Sequence, residues 1–541
     1  MGIVARLRSE RTVLGPLALA AFVTYGYFVS PPAWNQNSRF ALTRALVERG
    51  SAIIDDAHAT TGDKSYRDGH FYSDKAPGTS MLAVPSYAVV HKLSRLAGGE
   101  GPGFEVASTN TAELAAGVRV DPEDMRPGDR LVYNQSFRVG LYLCRLLTTS
   151  LVAVAGLIAL YLMSLRQTCG DRRAALWVTA TYGVATPALA YSSVFYGHQL
   201  CADFLLIALA LIVLTRPEGD RASAAGAWLP AVAAGASLGW AVLCEYPAAI
   251  PVVMLTGFAL WRRGYRFTLK LILGGLPWAG LLALYHYAAF GGPLKTGYDF
   301  VYLPEFAEGM RVRYGIHAPD LSVTHAILFG RYRGLLYLSP VLVLALWGLV
   351  MQLARRALPP ALAFFKGAEQ GPRAYPQRGL AALALAIVTY YLLLNSGYYM
   401  WDGGAALGPR HCVPMLPFLA LGLAPALRAV PRTYWVLAGI SALQITVATA
   451  AAPEAPRFGD PLYGFAWPRL LDGSISNYGG ATNLGGLLGL PGPLSLAPLL
   501  ALWAWAGLQL HAVTRPEADE EFDEEFDEEF DEGLDAARER E

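Results

Sequence analysis

Asp74 and Lys75 form an acid–base pair inside Tyr72-Ser73-Asp74-Lys75-Ala76-Pro77-Gly78, a turn stiffened by proline. A carboxylate held there can take the proton of an acceptor hydroxyl, and a lysine beside it can neutralise a departing phosphate. Asp55, Asp56 and Asp63 lie close upstream, with His58 and His70 among them. Asp55, Asp56 and Asp74 are the candidate bases, and His70 and Tyr72 the candidate substrate contacts. The histidines with a carboxylate offer donors that a divalent metal takes, but their spacing matches no known cage. A metal is therefore left open, and no other cofactor is implied.

A second gathering is Tyr-Tyr-Met-Trp-Asp-Gly-Gly-Ala-Ala-Leu-Gly-Pro-Arg-His over 398–411. Aromatic faces stack on sugar rings, carboxylates bind hydroxyls, and arginine grips phosphate through paired donors. Trp401, Asp402 and His411 are candidate substrate contacts, and Arg410 is a candidate phosphate ligand.

The elements that must position these groups are apolar. Of 541 residues, 54% are hydrophobic and 16% charged, where a soluble domain carries about 25% charged residues. Apolar runs of about 18 residues, enough to cross roughly 30 Å of hydrocarbon, recur along the chain. The expected fold is an all-α polytopic membrane protein with about twelve transmembrane helices. Residues 1–30 are a cytoplasmic N-terminus and first span, retained because no small-residue cleavage site follows the run. Residues 31–137 form a large exported loop with amphipathic surface helices at 39–50 and 79–95. Spans two to seven occupy 138–290, a second exported loop 291–333, and spans eight to twelve 334–511, with exported loops near 395–411 and 453–490. Arginine and lysine clusters fall in the alternate loops, which places those loops and both termini in the cytoplasm.

Residues 512–541 read as a disordered acidic tail: from Glu517 onward fifteen acids face two arginines, a net charge of −13. The five cysteines lie within or at the ends of apolar runs with no C-x-x-C pair, so neither a disulfide framework nor a zinc site is expected. No P-loop or dinucleotide fingerprint is present, and nothing points to nucleic acid.

With these motifs in view, the chain resembles the polytopic glycosyltransferases of the GT-C class. It is most similar to the bacterial branch of protein O-mannosyltransferases and lipid A aminoarabinose transferases. Gln-Asn-Ser-Arg-Phe at 36–40 lies where that family carries its first-loop motif, and Tyr-Ser-Asp-Lys-Ala-Pro at 72–77 looks like its second turn. The stretches 197–206, 238–251 and 401–417 resemble later family segments. The resemblance implies that Arg39 and Lys75 hold the phosphate of a polyprenyl-phosphate sugar, with Asp74 a metal or acceptor contact. One departure stands out: the family's catalytic aspartate falls near Gln36, and an amide cannot take a proton at neutral pH. Either the base has moved, or this branch works differently or not at all.

The expected function is a glycosyltransferase of the inner membrane and cell envelope. It moves a sugar from a lipid-linked donor to a glycan, lipid or protein acceptor on the exported face. The rivals are a transporter or flippase of lipid-linked saccharide, which needs polar groups buried mid-span, and an inactive scaffold.

Overall fold

The computed structural model describes residues 3–107, 130–215, 228–354, 377–475 and 482–514. The acidic tail from 515 onward, residues 108–129 of the first loop and the whole of the basic stretch 355–376 lie outside them.

Six described helices are long and apolar enough to cross a membrane: Gln135–Gln167, Gly197–Leu214, Tyr265–Phe290, Arg378–Ser396, Pro431–Ala451 and Gly492–Val513. The pair Arg410–Ala420 and Leu423–Ala429, bent by 54°, brings the number to seven. The expected twelve are not reached, because several apolar runs fold into shorter helices. Arg11–Tyr27 has 17 residues, Ala249–Arg263 has 15 and Val341–Ala354 has 14. At a rise of about 1.5 Å per residue these fall short of roughly 30 Å. The run at 174–191 is broken at Thr186-Pro187 into Arg172–Ala185 and Ala188–Tyr191.

Helices Tyr265–Phe290 and Gly492–Val513 leave Leu269, Leu273, Leu276, Leu500 and Leu508 exposed, which makes apolar outer faces suited to lipid. Loops that the arginine count puts on one side touch one another. Arg172 pairs with Glu10, and Arg428 donates to the Thr168 carbonyl. On the other side Ser65 donates to the Gly297 carbonyl, and Phe28–Val29 pairs antiparallel with Thr482–Asn483.

The two expected surface helices part company. Gly78–Leu96 exposes Val89, Leu93 and Leu96 along its far half, as an interfacial helix does. Trp34–Glu48 is instead buried from Asn35 to Ala45. Its polar residues turn inward because each finds a partner there. Asn37 donates to the Thr60 carbonyl and to Tyr133, Ser38 to the Asp63 carbonyl, and Thr43 to the Ser80 carbonyl. Buried polar groups matched this way cost little, so the helix can carry Gln36 and Arg39 into the interior.

Two ionisable side chains also lie inside apolar helices. Asp203 is fully buried in Gly197–Leu214, where Gln199 donates to it at 2.9 Å. Arg145 donates to the carbonyls of Tyr25 and Phe28, closing the end of the first helix.

Candidate active site

A hairpin delivers the Asp74–Lys75 pair. Strand Lys64–Arg67 pairs with His70–Ser73, joined by Asp68 and Gly69 at φ 51° and 86°. Positive φ at both central residues is the two-residue turn whose twist suits paired strands. The chain then passes through Asp74 to the helix opening at Gly78. A Cβ on Gly78 would sit 2.5 Å from the Leu243 carbonyl carbon, so this helix starts hard against the end of Trp228–Cys244. That contact sets the hairpin's exit beside Glu245.

Lys75 Nζ lies 3.2 Å from Asp63 Oδ1 and 3.3 Å from Asp74 Oδ1. Burial pushes the Asp74 carboxyl up to about 6 despite Lys75. Burial pulls the lysine down, but Asp63 and Asp74 outweigh it and leave Lys75 above its ordinary value. Asp74 therefore holds its proton to a higher pH than a free aspartate does.

Arg39, two per cent exposed, reaches Asn35 Oδ1 at 2.8 Å and Glu245 Oε1 at 3.2 Å. His198 Nδ1 lies 3.2 Å from the same Glu245 oxygen. Gly197 makes room for the group, since a Cβ there would meet Glu245 Oε1 at 2.5 Å. Burial raises the Glu245 carboxyl, and Arg39, Arg410 and Lys75 pull it back, so three cations from distant segments act on one carboxylate. Arg410 folds over Gly403, whose φ of +71° and missing side chain leave the space, and faces the Tyr196 ring. Lys75, Asp63 and Glu245 keep 14–15% side-chain exposure, so the cluster is partly open.

A fourth acid comes from the loop at 453–490. Glu454 Oε1 accepts from Gln36 Nε2 at 2.8 Å. Gln36 also donates to the Pro31 carbonyl, and its oxygen accepts from the Phe195 N–H at 2.8 Å and from Ser30. A cavity of about 30 Å³ touches Gln36, Arg138 and Arg145; it holds about one water and no sugar.

The structure thus brings together Arg39, Asp74, Lys75, Arg410 and His411, whose ring meets those of His198 and Tyr398 edge-on. It does not bring Asp55, Asp56, His70 or Tyr72 to them. Asp55 pairs with His70 at 2.7 Å and Asp56 with Arg49 at 2.8 Å, both on the surface. Tyr72 is buried against Phe290. His58 stacks on Phe71, away from His70. Among the described residues no three His, Cys, Asp or Glu gather as a cation cage. Asp402 accepts from Tyr332, and Trp401 packs edge-on against that same ring. Fully buried Arg333 clamps this loop by donating to the carbonyls of Asp402, Gly404 and Ala406.

Sequence reading assigned no role to Asp63, His198, Glu245, Glu454 or Arg333. The available signal was a lone acid closing an apolar run, as in Leu243-Cys244-Glu245-Tyr246-Pro247 and Ala452-Pro453-Glu454.

No protein-family model and no curated protein matches the chain. Among solved structures it is similar to ArnT from Cupriavidus metallidurans, solved apo and bound to undecaprenyl phosphate. Both forms match at 15% identity and a TM-score of 0.42, over 82% of this chain and 64% of ArnT. It is also similar to the Archaeoglobus fulgidus oligosaccharyltransferase in the apo form, with 13% identity and a TM-score of 0.40, over 80% of this chain and 56% of that one. A second form of AglB, in complex with an inhibitory peptide and a dolichol-phosphate, matches with a TM-score of 0.38. The chain spans less than two-thirds of the length of either.

Proposed function

We propose that this chain is a membrane glycosyltransferase that takes its sugar from a polyprenyl-phosphate donor on the exported face. One observation carries the reading: Arg39 and Lys75 from the first loop are held in ion pairs within a partly open cluster among apolar helices, and Arg410, from a distant segment, bears on the same Glu245 carboxylate. Such a trio suits the phosphate of a lipid that reaches the site from the bilayer, and charge-assisted bonds to it stabilise the leaving group as negative charge grows. The acids beside them supply proton acceptors.

The transporter reading draws on Asp203, an acid buried within a span. Gly156 packs so close to it that a Cβ would fall 2.2 Å from Asp203 Oδ1, so the acid is enclosed by helix packing. The convergent charges lie at the helix ends instead, which favours transfer chemistry.

The test is to reconstitute the full chain with undecaprenyl-phosphate sugars and compare wild type with Asp74→Asn and Lys75→Ala. Slower transfer in both variants is expected. Unchanged transfer in both removes the pair from the mechanism.

A further inference from the structure

We infer that Glu454 is the proton acceptor of the transfer step, a catalytic residue delivered by the third exported loop. This rests on the glycosyl-transfer reading above. Four acids surround the cationic trio, and their partners differ in kind. Asp63 and Asp74 both lie within ion-pair distance of Lys75, and Glu245 sits between Arg39 and His198. A carboxylate that neutralises a cation gives up that ion pair when it takes a proton, a cost that a carboxylate with neutral partners does not bear. Glu454 alone of the four has, among the described residues, no cation within ion-pair distance. Its hydrogen-bond partner is the neutral Gln36 amide.

Gln36 is itself pinned. Its oxygen is occupied by Phe195 and Ser30, so its NH2 must point at the carboxylate and hold it in place. The groups facing Glu454 are Gln36, Tyr191, Tyr196, Arg410 and Asp63. Burial raises its carboxyl to about 7; Tyr196, Arg410 and Gln36 pull it down and Asp63 pushes it up. A base poised near the working pH combines availability with driving force.

The step balances as follows. The acceptor O–H bond breaks and its proton passes to Glu454. The freed oxygen pair forms the new bond to the anomeric carbon. The bond from that carbon to the phosphate oxygen breaks, and its pair leaves on polyprenyl phosphate, opposite Lys75 and Arg410.

The experiment uses the full chain in lipid nanodiscs with undecaprenyl-phosphate mannose or aminoarabinose. Water serves as acceptor, and release of undecaprenyl phosphate is followed from pH 5 to 9. Wild type should speed up through about pH 7. Glu454→Gln should slow release by about 100-fold or more and lose the inflection, while binding undecaprenyl phosphate within about twofold of wild type. Glu454→Asp should keep part of the rate with a displaced inflection. Release by Glu454→Gln at the wild-type rate, or with the inflection intact, overturns the base but leaves the transfer reading standing. No release by wild type from either donor overturns the transfer reading and the base with it. Should Glu454→Gln lose lipid binding through misfolding, Glu454→Asp decides: an unmoved inflection in that variant refutes the assignment.

Discussion

Replacing Arg39 by alanine removes a guanidinium that is almost wholly enclosed and holds Glu245 at 3.2 Å and Asn35 at 2.8 Å. Taking one partner from a buried ion pair costs about 3–5 kcal/mol, because the other charge is stranded. Glu245 keeps His198 beside it and retains 15% exposure, so the lower end, about 3 kcal/mol, is expected. The loss should come mainly from the stranded carboxylate, whose pKa is already raised by burial and loses its strongest opposing charge. Adding Glu245→Gln to Arg39→Ala should therefore restore about 1–3 kcal/mol instead of adding further loss. Unfolding by sodium dodecyl sulfate in mixed micelles, run on wild type, both single variants and the double variant, reads this coupling directly. A double variant no more stable than Arg39→Ala, or an Arg39→Ala within about 0.5 kcal/mol of wild type, refutes the reasoning.

Three further outcomes are expected. Glu454 holds its proton more tightly folded than unfolded, so stability falls as pH rises from about 4.5 to about 7 and stays low above that. Asp74 adds a slope of the same sign, so Glu454→Gln should reduce the measured slope by about 3 kcal/mol in unfolding titrations at pH 4, 6 and 8 and leave a remainder. Gly297→Ala would drive a Cβ to 2.6 Å from Asp74 Cα and 2.9 Å from Ser65 Oγ; overpacking of this kind costs about 1–3 kcal/mol, seen as a lower melting temperature together with weaker binding of undecaprenyl phosphate. Arg333→Lys keeps the charge but loses the fork that reaches three carbonyls. Faster proteolysis within 398–411 is expected, and an unchanged digestion pattern would show that the clamp is dispensable.

The helical, lipid-facing character of the chain was legible because apolar runs are local signals. Their number was not: whether a run of 14 to 17 residues makes a full span depends on breaks such as Pro187 and on packing. Lys75 and Arg410 were legible from their Gly/Pro-punctuated motifs. The density of acids before Asp74 pointed equally to Asp55 and Asp56, yet those two answer to His70 and Arg49 on the surface. Glu245 and Glu454 meet their partners across 206 and 418 residues, and no spacing rule reaches that far. The helix Trp34–Glu48 carries polar residues that read as a wet face, and only the partners available inside turned that face inward.

The hydrogen bond between Gln36 and Glu454 also has a bearing on biogenesis. Its halves are made 418 residues apart, which at about 5–20 residues per second separates them by roughly 20–80 s on the ribosome. For most of that interval, between the synthesis of Lys75 and that of Arg410, the nascent chain carries Arg39 and Lys75 but has neither Arg410 nor Glu454. The cluster around Gln36 is thus complete only when the closing segments dock onto those inserted first.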